Sequence, residues 1–211
     1  MYSYVFILGR PGSGKSIIYK KISKRLLEKN LIKEIERIDD FPVLLELLEE
    51  DEELENHVKK EGGFEITNLD LLDEVLQRIN KRVKKQSQPD KLIFIEFSRD
   101  NYEHALTNFD QELLNQSLII YVYCPFDVCV KRNVERFEES QESIDNHIVP
   151  TDMMKKYYKE DDYEDLYLES GGKLKEKAPA DLVVINNDEE NMAKLERELN
   201  EAEEKIKKSK N

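Results

Sequence analysis

Residues suited to phosphate chemistry lie in one short run near the N-terminus, Gly9-Arg10-Pro11-Gly12-Ser13-Gly14-Lys15-Ser16. The glycines of such a run let the backbone curl, so that successive N–H groups point inward at a phosphate. Lys15 would place a positive charge at the β- and γ-phosphates, and the hydroxyl of Ser16 would coordinate Mg²⁺. We therefore expect the phosphates of a nucleotide and Mg²⁺ to bind here, on Gly9, Pro11, Gly12, Ser13, Gly14, Lys15, Ser16 and Ile17.

The segments on either side of this run have the periodicities that a phosphate-binding loop requires. Residues 3–8 form an apolar run of strand length, which is typical of a parallel strand buried on both faces. After the loop, Ile18, Ile22 and Leu26 repeat at helical spacing. A helix that begins at the loop adds the partial positive charge of its N-terminus to the phosphate site.

A pair of carboxylates, Asp39 and Asp40, follows the second predicted strand at 35–38. In open α/β sheets, ligands gather at the carboxyl ends of the strands. A carboxylate at that edge can accept the proton of an acceptor hydroxyl, a role that we assign to Asp39 before Asp40. The alternative is that the pair caps the helix that begins beside Pro42.

The order of the predicted elements indicates an α/β fold. Further buried strands are predicted at 92–95, 118–123 and 181–185, with helical patterns between them. From residue 42 to about residue 60, leucines and acids indicate one or two short helices, which end at Gly62-Gly63. Strands that are apolar throughout and alternate with helices predict a parallel sheet covered on both faces.

The glycine-rich run has the full Walker A spacing, and with its flanking strand and helix the chain resembles P-loop kinases of the nucleoside monophosphate kinase and small-molecule kinase type. The resemblance covers most of residues 1–188. It implies a three-layer sandwich with a parallel sheet of about five strands, ATP–Mg²⁺ binding, and transfer of the γ-phosphoryl group beneath a lid. The implied kinase domain spans 1–188, with an acceptor-side insertion at about 41–72, a lid at about 132–150 and a charged C-terminal helix at 189–211.

The same resemblance implies roles for residues outside the loop. Glu96, at the end of the strand at 92–95, would hold a water on Mg²⁺ together with Ser16 and Asp39. Lid arginines of such kinases neutralise charge on the transferring phosphoryl group, and Arg132 and Arg136 are their counterparts here. The alternative for these two arginines is a solvated helix face.

Two further candidates complete the predicted site. Arg99 could bind an anionic group of the acceptor or a phosphate, and its alternative is a surface ion pair with Asp100 and Glu103. The resemblance places the adenine near the last strand, at Pro179.

Composition restricts the partners. The 211 residues include 33 Lys and Arg against 46 Asp and Glu, for a formal net charge of −13. This balance argues against nucleic acid, because nucleic-acid binding normally requires a basic surface. No apolar run approaches the roughly 20 residues of a membrane span, and we expect no membrane partner. The two cysteines, Cys124 and Cys129, lack a zinc spacing and suit a cytoplasmic protein with reduced thiols.

The C-terminal segment repeats apolar residues every three or four positions, at Met192, Leu195, Leu199, Ala202 and Ile206. This stripe predicts a helix that docks on the sheet. The alternative is a short coiled-coil contact, which would make a homodimer.

These features predict ATP-dependent phosphoryl transfer to a small-molecule acceptor, through a hydroxyl because of the Asp39–Asp40 pair. One alternative is a nucleoside monophosphate kinase, which would need an arginine cluster for the acceptor phosphate, whereas residues 41–83 contain only Arg78 and Arg82. The other alternative is a nucleotide-sensing or regulatory P-loop ATPase without an acceptor.

Overall fold

The computed structural model describes residues 1–51, 56–60, 63–139, 149–160, 162–163, 180–188 and 192–208, with backbone only at 59, 60, 63 and 136–139. Within these residues the core is a parallel sheet of five strands in the order β2-β5-β1-β6-β7. The expected α/β fold with a five-stranded parallel sheet is therefore confirmed. The strands are β1 (Tyr4–Leu8), β2 (Glu34–Asp39), β5 (Lys91–Glu96), β6 (Ser117–Tyr123) and β7 (Asp181–Asn186).

Helices cover both faces of this sheet. The apolar residues of β1 alternate between the faces, because successive side chains of a strand point to opposite sides. The helices are α1 (Lys15–Glu28), α2 (Asp40–Glu50), α3 (Asp70–Gln86), α4 (Tyr102–Leu106), α5 (Gln111–Asn115), α6 (Phe126–Glu139), α7 (Thr151–Tyr157) and α8 (Met192–Lys207). Phe6 packs in one core with α2, α3, α4 and α5, whereas Val5 and Ile7 pack in the other core with α1 and α8.

The stripe of the C-terminal helix α8 lies against the sheet. Leu195, Leu199, Ala202 and Ile206 are all buried in the core that contains α1. The Lys29 ammonium reinforces the contact between the two helices, because it donates to the buried carboxylate of Glu203 at 2.6 and 2.8 Å. The docking interpretation of this stripe is the one that the structure supports.

The segment expected to be helical from residue 42 to about 60 is only partly so. The helix α2 ends at Glu50, and an antiparallel hairpin follows, formed by β3 (His57–Lys60) and β4 (Gly63–Ile66). The prediction of helix up to Gly62-Gly63 was therefore wrong. Because β3 ends in two consecutive lysines, its sequence lacks the alternation of apolar and polar residues that identifies a strand with one solvated face.

Parts of the predicted lid and adenine site lie outside the described residues. The helix α6 contains the first residues of the predicted lid, 132–139, but residues 140–148 and the side chain of Arg136 are outside the description, as is Pro179. Cys124 and Cys129 are buried free thiols. Within the described part of the chain, every helix falls short of the length and apolarity that a membrane crossing needs.

Candidate active site

The predicted phosphate loop connects β1 to α1 at the carboxyl edge of the sheet. Gly12 and Gly14 have φ values of +81° and +93°, a region that residues with a Cβ rarely adopt. A Cβ on Gly12 would overlap the Cys129 carbonyl oxygen, and one on Gly14 would overlap the side chain of Asn187. The loop therefore requires glycine both for its curvature and for its close packing against neighbouring backbone and side chain.

Lys15 points into the curve of this loop and is only 8% exposed. Its ammonium donates to the carbonyl oxygens of Gly9 at 3.0 Å and Arg10 at 3.1 Å, and to the hydroxyl of Ser98 at 2.7 Å. Phosphate oxygens can replace these neutral acceptors, because a hydrogen bond between two charged groups is about twice as strong. These contacts hold the Lys15 ammonium at the position where it would contact a bound phosphate.

Three side chains beside the loop form an oxygen-rich corner. Ser16 donates from its hydroxyl to Glu96 Oε1 over 3.3 Å. Asp39 and Glu96 are register partners on the adjacent strands β2 and β5, so that their carboxylates end the sheet side by side. The structure therefore brings together the three residues predicted to hold the metal.

Arg37 is a member of this corner that the sequence reasoning missed. Its guanidinium lies 3.4 Å from Glu96 Oε2 and 3.8 Å from Asp39 Oδ2, and it stacks over the ring of Tyr19. Arg37 partly compensates the two carboxylates. Its position two residues before Asp39, on the same face of the strand, was the available signal.

The Asp39 carboxyl group is buried among like charges. Burial raises its pKa most, followed by the charges of Asp40 and Glu96, so that the pKa lies at about 7 instead of 3.8. A hydrogen bond from the Phe41 backbone N–H and the charge of Arg37 oppose the shift. The group therefore exchanges its proton near neutral pH.

Asp39 and Asp40 also have structural roles. Asp39 is the N-cap of α2, since its side chain accepts a hydrogen bond of 2.9 Å from the Phe41 backbone. Asp40 pairs with Arg99 at 2.5 Å. The capping alternative is correct for Asp39, but both carboxylates also line the cavity described below.

Arg99 is buried, with 8% exposure, and pairs with Asp40, so the alternative of a surface ion pair with Asp100 and Glu103 is wrong. Besides Asp40, its guanidinium donates to the carbonyl oxygens of Ser98 at 2.6 Å and Leu72 at 3.3 Å. Its Nε is buried and makes no hydrogen bond. The guanidinium therefore connects the end of β5 to the start of α2 and to α3.

Arg132, on α6, is connected to the phosphate loop through Asn187. Its guanidinium donates to the Asn187 carbonyl oxygen at 2.9 Å and to Cys124 Sγ at 3.3 Å. The Asn187 amide in turn donates to the Ser13 carbonyl oxygen at 2.7 Å. The start of the predicted lid is thus joined to the loop that follows β7 and, through it, to the phosphate loop.

Two supports of the phosphate loop were not predicted, Asn187 and Tyr102. The Gly9 backbone N–H donates to the buried Tyr102 hydroxyl at 3.1 Å. Both residues are distant from the loop in the chain, so that no local sequence motif predicts their contacts with it. The asparagines at 186–187 after the last strand were the only signal for the first of them.

A cavity of about 900 Å³ connects these groups. Its loop end is lined by the phosphate loop, the start of α1, Arg132 and Asn187. Its hairpin end lies between α2, the β3–β4 hairpin, α3 and α4. The described residues that line the hairpin end are Asp40, Phe41, Leu44, Phe64, Ile66, Leu69, Asp70, Leu72, Asp73, Arg99, Asp100, Asn101, His104 and Ala105.

The chemistry of the oxygen-rich corner fits a magnesium ion. Mg²⁺ is usually held by one or two carboxylates, waters and substrate phosphates. Ser16, Glu96 and Asp39 supply hard oxygen donors. Burial is the largest cause of the raised pKa of Asp39, and the negative charges of Asp40 and Glu96 add to it. No group of three or more His, Cys, Asp or Glu side chains arranged for a metal occurs among the described residues.

The sheet order, the glycine loop between β1 and α1, and the Lys15–Ser16–Glu96 arrangement define a P-loop NTPase with the fold of small-molecule kinases. In sequence, residues 8–149 match the AAA domain family, and the chain belongs to that family. No curated protein matches the chain in sequence at a significant level.

Solved structures with the same fold include three proteins of low sequence identity. A gluconokinase from Sinorhizobium meliloti 1021 is 13% identical, with a TM-score of 0.57 over 97% of this chain and 93% of that chain. Chaetomium thermophilum Kti12 in complex with ADP-AlF3 is 16% identical, with a TM-score of 0.56 over 96% and 98%. Shikimate kinase from Bacteroides thetaiotaomicron is 16% identical, with a TM-score of 0.50 over 99% and 100%. At these identities the likeness concerns the fold.

Proposed function

We propose that this protein transfers the γ-phosphoryl group of ATP to a hydroxyl of a small-molecule acceptor, with Mg²⁺. The observation that carries the proposal is the position of the largely buried Asp39 carboxyl group, which lines the same cavity as Lys15 and the Ser16–Glu96 pair. Burial, followed by the charges of Asp40 and Glu96, raises the pKa of this group to about 7. A general base works best when its pKa is near the operating pH. An acceptor that is already a phosphate needs no such base.

The loop end of the cavity would bind the nucleotide. The backbone N–H groups at the start of α1 and the Lys15 ammonium suit the triphosphate, because they place positive charge on the inner side of the loop. Arg132 and Asn187 lie beside the loop, where they could contact the remainder of the nucleotide. Ser16 and Glu96 would hold Mg²⁺, which when bound would neutralise charge on the β- and γ-phosphate oxygens. Asp39, the assigned base, would face the acceptor.

The transfer step needs little covalent work from the protein. The acceptor oxygen forms a bond to the γ-phosphorus while the bond from that phosphorus to the β,γ-bridging oxygen breaks, and the hydroxyl proton passes to Asp39. ADP is the leaving group. Alignment of acceptor and nucleotide in one cavity supplies most of the rate enhancement, as in other phosphoryl transfers.

The positions of the basic residues argue against a nucleoside monophosphate acceptor. Arg78 pairs with Glu50 at 2.7 Å and with Glu74 at 2.9 Å, and Arg82 pairs with Glu46. Neither arginine lines the cavity. Among the described residues of the hairpin end, Arg99 is therefore the one arginine that could contact an acceptor phosphate.

ADP release and product analysis together test the proposal. The protein with ATP–Mg²⁺ is incubated with pooled neutral hydroxyl compounds, with organic phosphates and without acceptor, and ³¹P NMR identifies a phosphate ester. We expect ester formation with a hydroxyl compound, and its loss in the Lys15→Met variant. A steady release of ADP and inorganic phosphate that no acceptor alters would refute the kinase proposal and favour the regulatory ATPase, the second candidate, which the likeness to Kti12 keeps open.

A further inference from the structure

A carboxylate of the C-terminal helix α8, that of Glu198, holds the end of the strand β7. Its Oε2 accepts a hydrogen bond of 2.7 Å from the Asn186 backbone N–H, and its Oε1 accepts one of 2.9 Å from the Asn186 side-chain amide. Asn186 is the last residue of β7. Hydrogen bonds to an ionised acceptor are about twice as strong as those between neutral groups. Both carboxylate oxygens of Glu198 therefore fix the place where this strand ends.

The packing of α8 keeps Glu198 at this position. Leu195 and Ala202 lie three positions before and four positions after Glu198, on the same face of the helix, and both are buried in the core that contains α1. Lys205 forms a second connection between the same helix and the same strand, because its ammonium donates to the Leu182 carbonyl oxygen at 3.1 Å. The helix α8 thus contacts β7 near both ends of the strand.

The residue after the strand, Asn187, connects this end of β7 to the nucleotide site. Its backbone N–H donates to the Tyr123 carbonyl oxygen at 2.8 Å, and its side-chain amide donates to the Ser13 carbonyl oxygen at 2.7 Å. Its own carbonyl oxygen accepts from the Arg132 guanidinium at 2.9 Å. A Cβ on Gly14 would lie only 2.1 Å from the Asn187 amide nitrogen. A displacement of the end of β7 would therefore disturb both the phosphate loop and Arg132.

We propose that Glu198 is a positioning residue for ATP, because it fixes the end of β7 so that Asn187 holds the phosphate loop and Arg132 in place. The inference rests on the ATP binding of the proposed function and assigns a part in it to the helix α8. Glu198 is not among the described residues that line the cavity. Its effect on the nucleotide therefore passes through Asn186 and Asn187.

Calorimetry with a non-hydrolysable ATP analogue and Mg²⁺ tests this role. Glu198→Ala removes both acceptors and leaves the Asn186 backbone N–H without its partner. We expect the dissociation constant of the analogue to rise about tenfold, as does KM for ATP in turnover. Glu198→Gln should stay within about threefold of wild type, because its amide oxygen can accept from the backbone N–H while its amide nitrogen donates to the Asn186 side-chain oxygen.

Lys205→Met is the matched control. It removes a hydrogen bond between the same helix and the same strand, but at Leu182, four residues before Asn186 in the chain. We expect it to leave the dissociation constant of the analogue within about twofold of wild type. Urea denaturation measures the stability of both variants. A role of Glu198 in folding alone would predict that the two variants change affinity alike at equal loss of stability.

A double-variant cycle tests the same contact without removing it. Asn186→Asp alone places a second carboxylate against Glu198, and we expect it to weaken analogue binding at least about tenfold. In the double variant with Glu198→Gln, the glutamine amide can donate to the new carboxylate, and affinity should return to within about threefold of wild type. This cycle remains decisive if Glu198→Ala does not fold.

The outcomes separate this inference from the proposed function. Equal affinity of wild type and Glu198→Ala, an equal loss in Lys205→Met, or no recovery in the double variant would each overturn the positioning role and leave the kinase proposal intact. Failure of the wild-type protein to bind the analogue would refute ATP binding, and both proposals with it.

Discussion

Replacement of Asp39 by Asn separates the two roles of this residue. Asn retains an oxygen that can accept from the Phe41 backbone N–H, so that the N-cap of α2 survives. The substitution removes the charge that faces Asp40 and Glu96. We therefore expect the variant to be at least as stable as the wild type and nearly inactive.

The expected change in stability follows from the pKa shift. The raised pKa of Asp39, from 3.8 to about 7, means that the folded protein holds this proton more tightly than the unfolded chain. Its contribution to stability is full below the ordinary pKa and is lost as the pH rises through about 7. At about 1.4 kcal/mol per pKa unit, the ionised group costs about 4 kcal/mol in total. About 2.5 kcal/mol of this cost develops between pH 5 and pH 8.

Urea denaturation of the ligand-free proteins at pH 5, 6, 7 and 8 measures this difference. The stability of Asp39→Asn relative to wild type should increase by about 2.5 kcal/mol across the range, while kcat for phosphoryl transfer falls about 10²- to 10⁴-fold. Asp127→Asn, which removes an exposed carboxylate that does not line the cavity, should show neither trend. Parallel stabilities of wild type and Asp39→Asn from pH 5 to 8 would refute the assigned burial, and a kcat loss below tenfold would refute the assigned base.

Three further predictions concern the supports of the site. Arg37→Met should move the rise of kcat/KM to higher pH, because Arg37 lowers the pKa of Asp39; Arg37→Lys should keep the wild-type profile, and an unchanged profile in Arg37→Met would contradict the assigned coupling. Tyr102→Phe leaves the buried Gly9 N–H without its acceptor and should lower the free energy of unfolding by about 1–3 kcal/mol and raise KM for ATP; equal denaturation midpoints would exclude this. Gly12→Ala should abolish ATP binding in calorimetry and lower stability by at least about 2 kcal/mol, because its φ of +81° disfavours a Cβ; retained binding would show that the loop adapts.

The elements that a short periodicity encodes were predictable from the sequence. The strands around residues 4–8, 92–95 and 118–123 are apolar on both faces because the sheet is covered twice, and a continuous apolar run is the direct consequence. The β3–β4 hairpin was missed for the opposite reason. It lies outside the main sheet, each of its strands has only four residues, and the His-Val-Lys-Lys run of β3 shows no alternation of polar with apolar residues.

The ion pairs and charged neighbours of each candidate residue come from segments that are distant in the chain. Arg99 pairs with Asp40, 59 residues away, and not with its neighbours Asp100 and Glu103. The carboxylates of Asp39 and Glu96 meet because β2 and β5 are adjacent in the sheet although 57 positions separate the two residues. Arg37 enters the corner by the same pairing.

The phosphate loop and the parallel sheet could be predicted from local sequence, because glycine conformation, a buried strand and an amphipathic helix are each encoded within a few consecutive residues. The distribution of charge around that loop could not be predicted in this way, because it arises from packing between distant segments. Burial and the proximity of carboxylates from different strands set the pKa of Asp39, and these quantities depend on distances in space that no local pattern records.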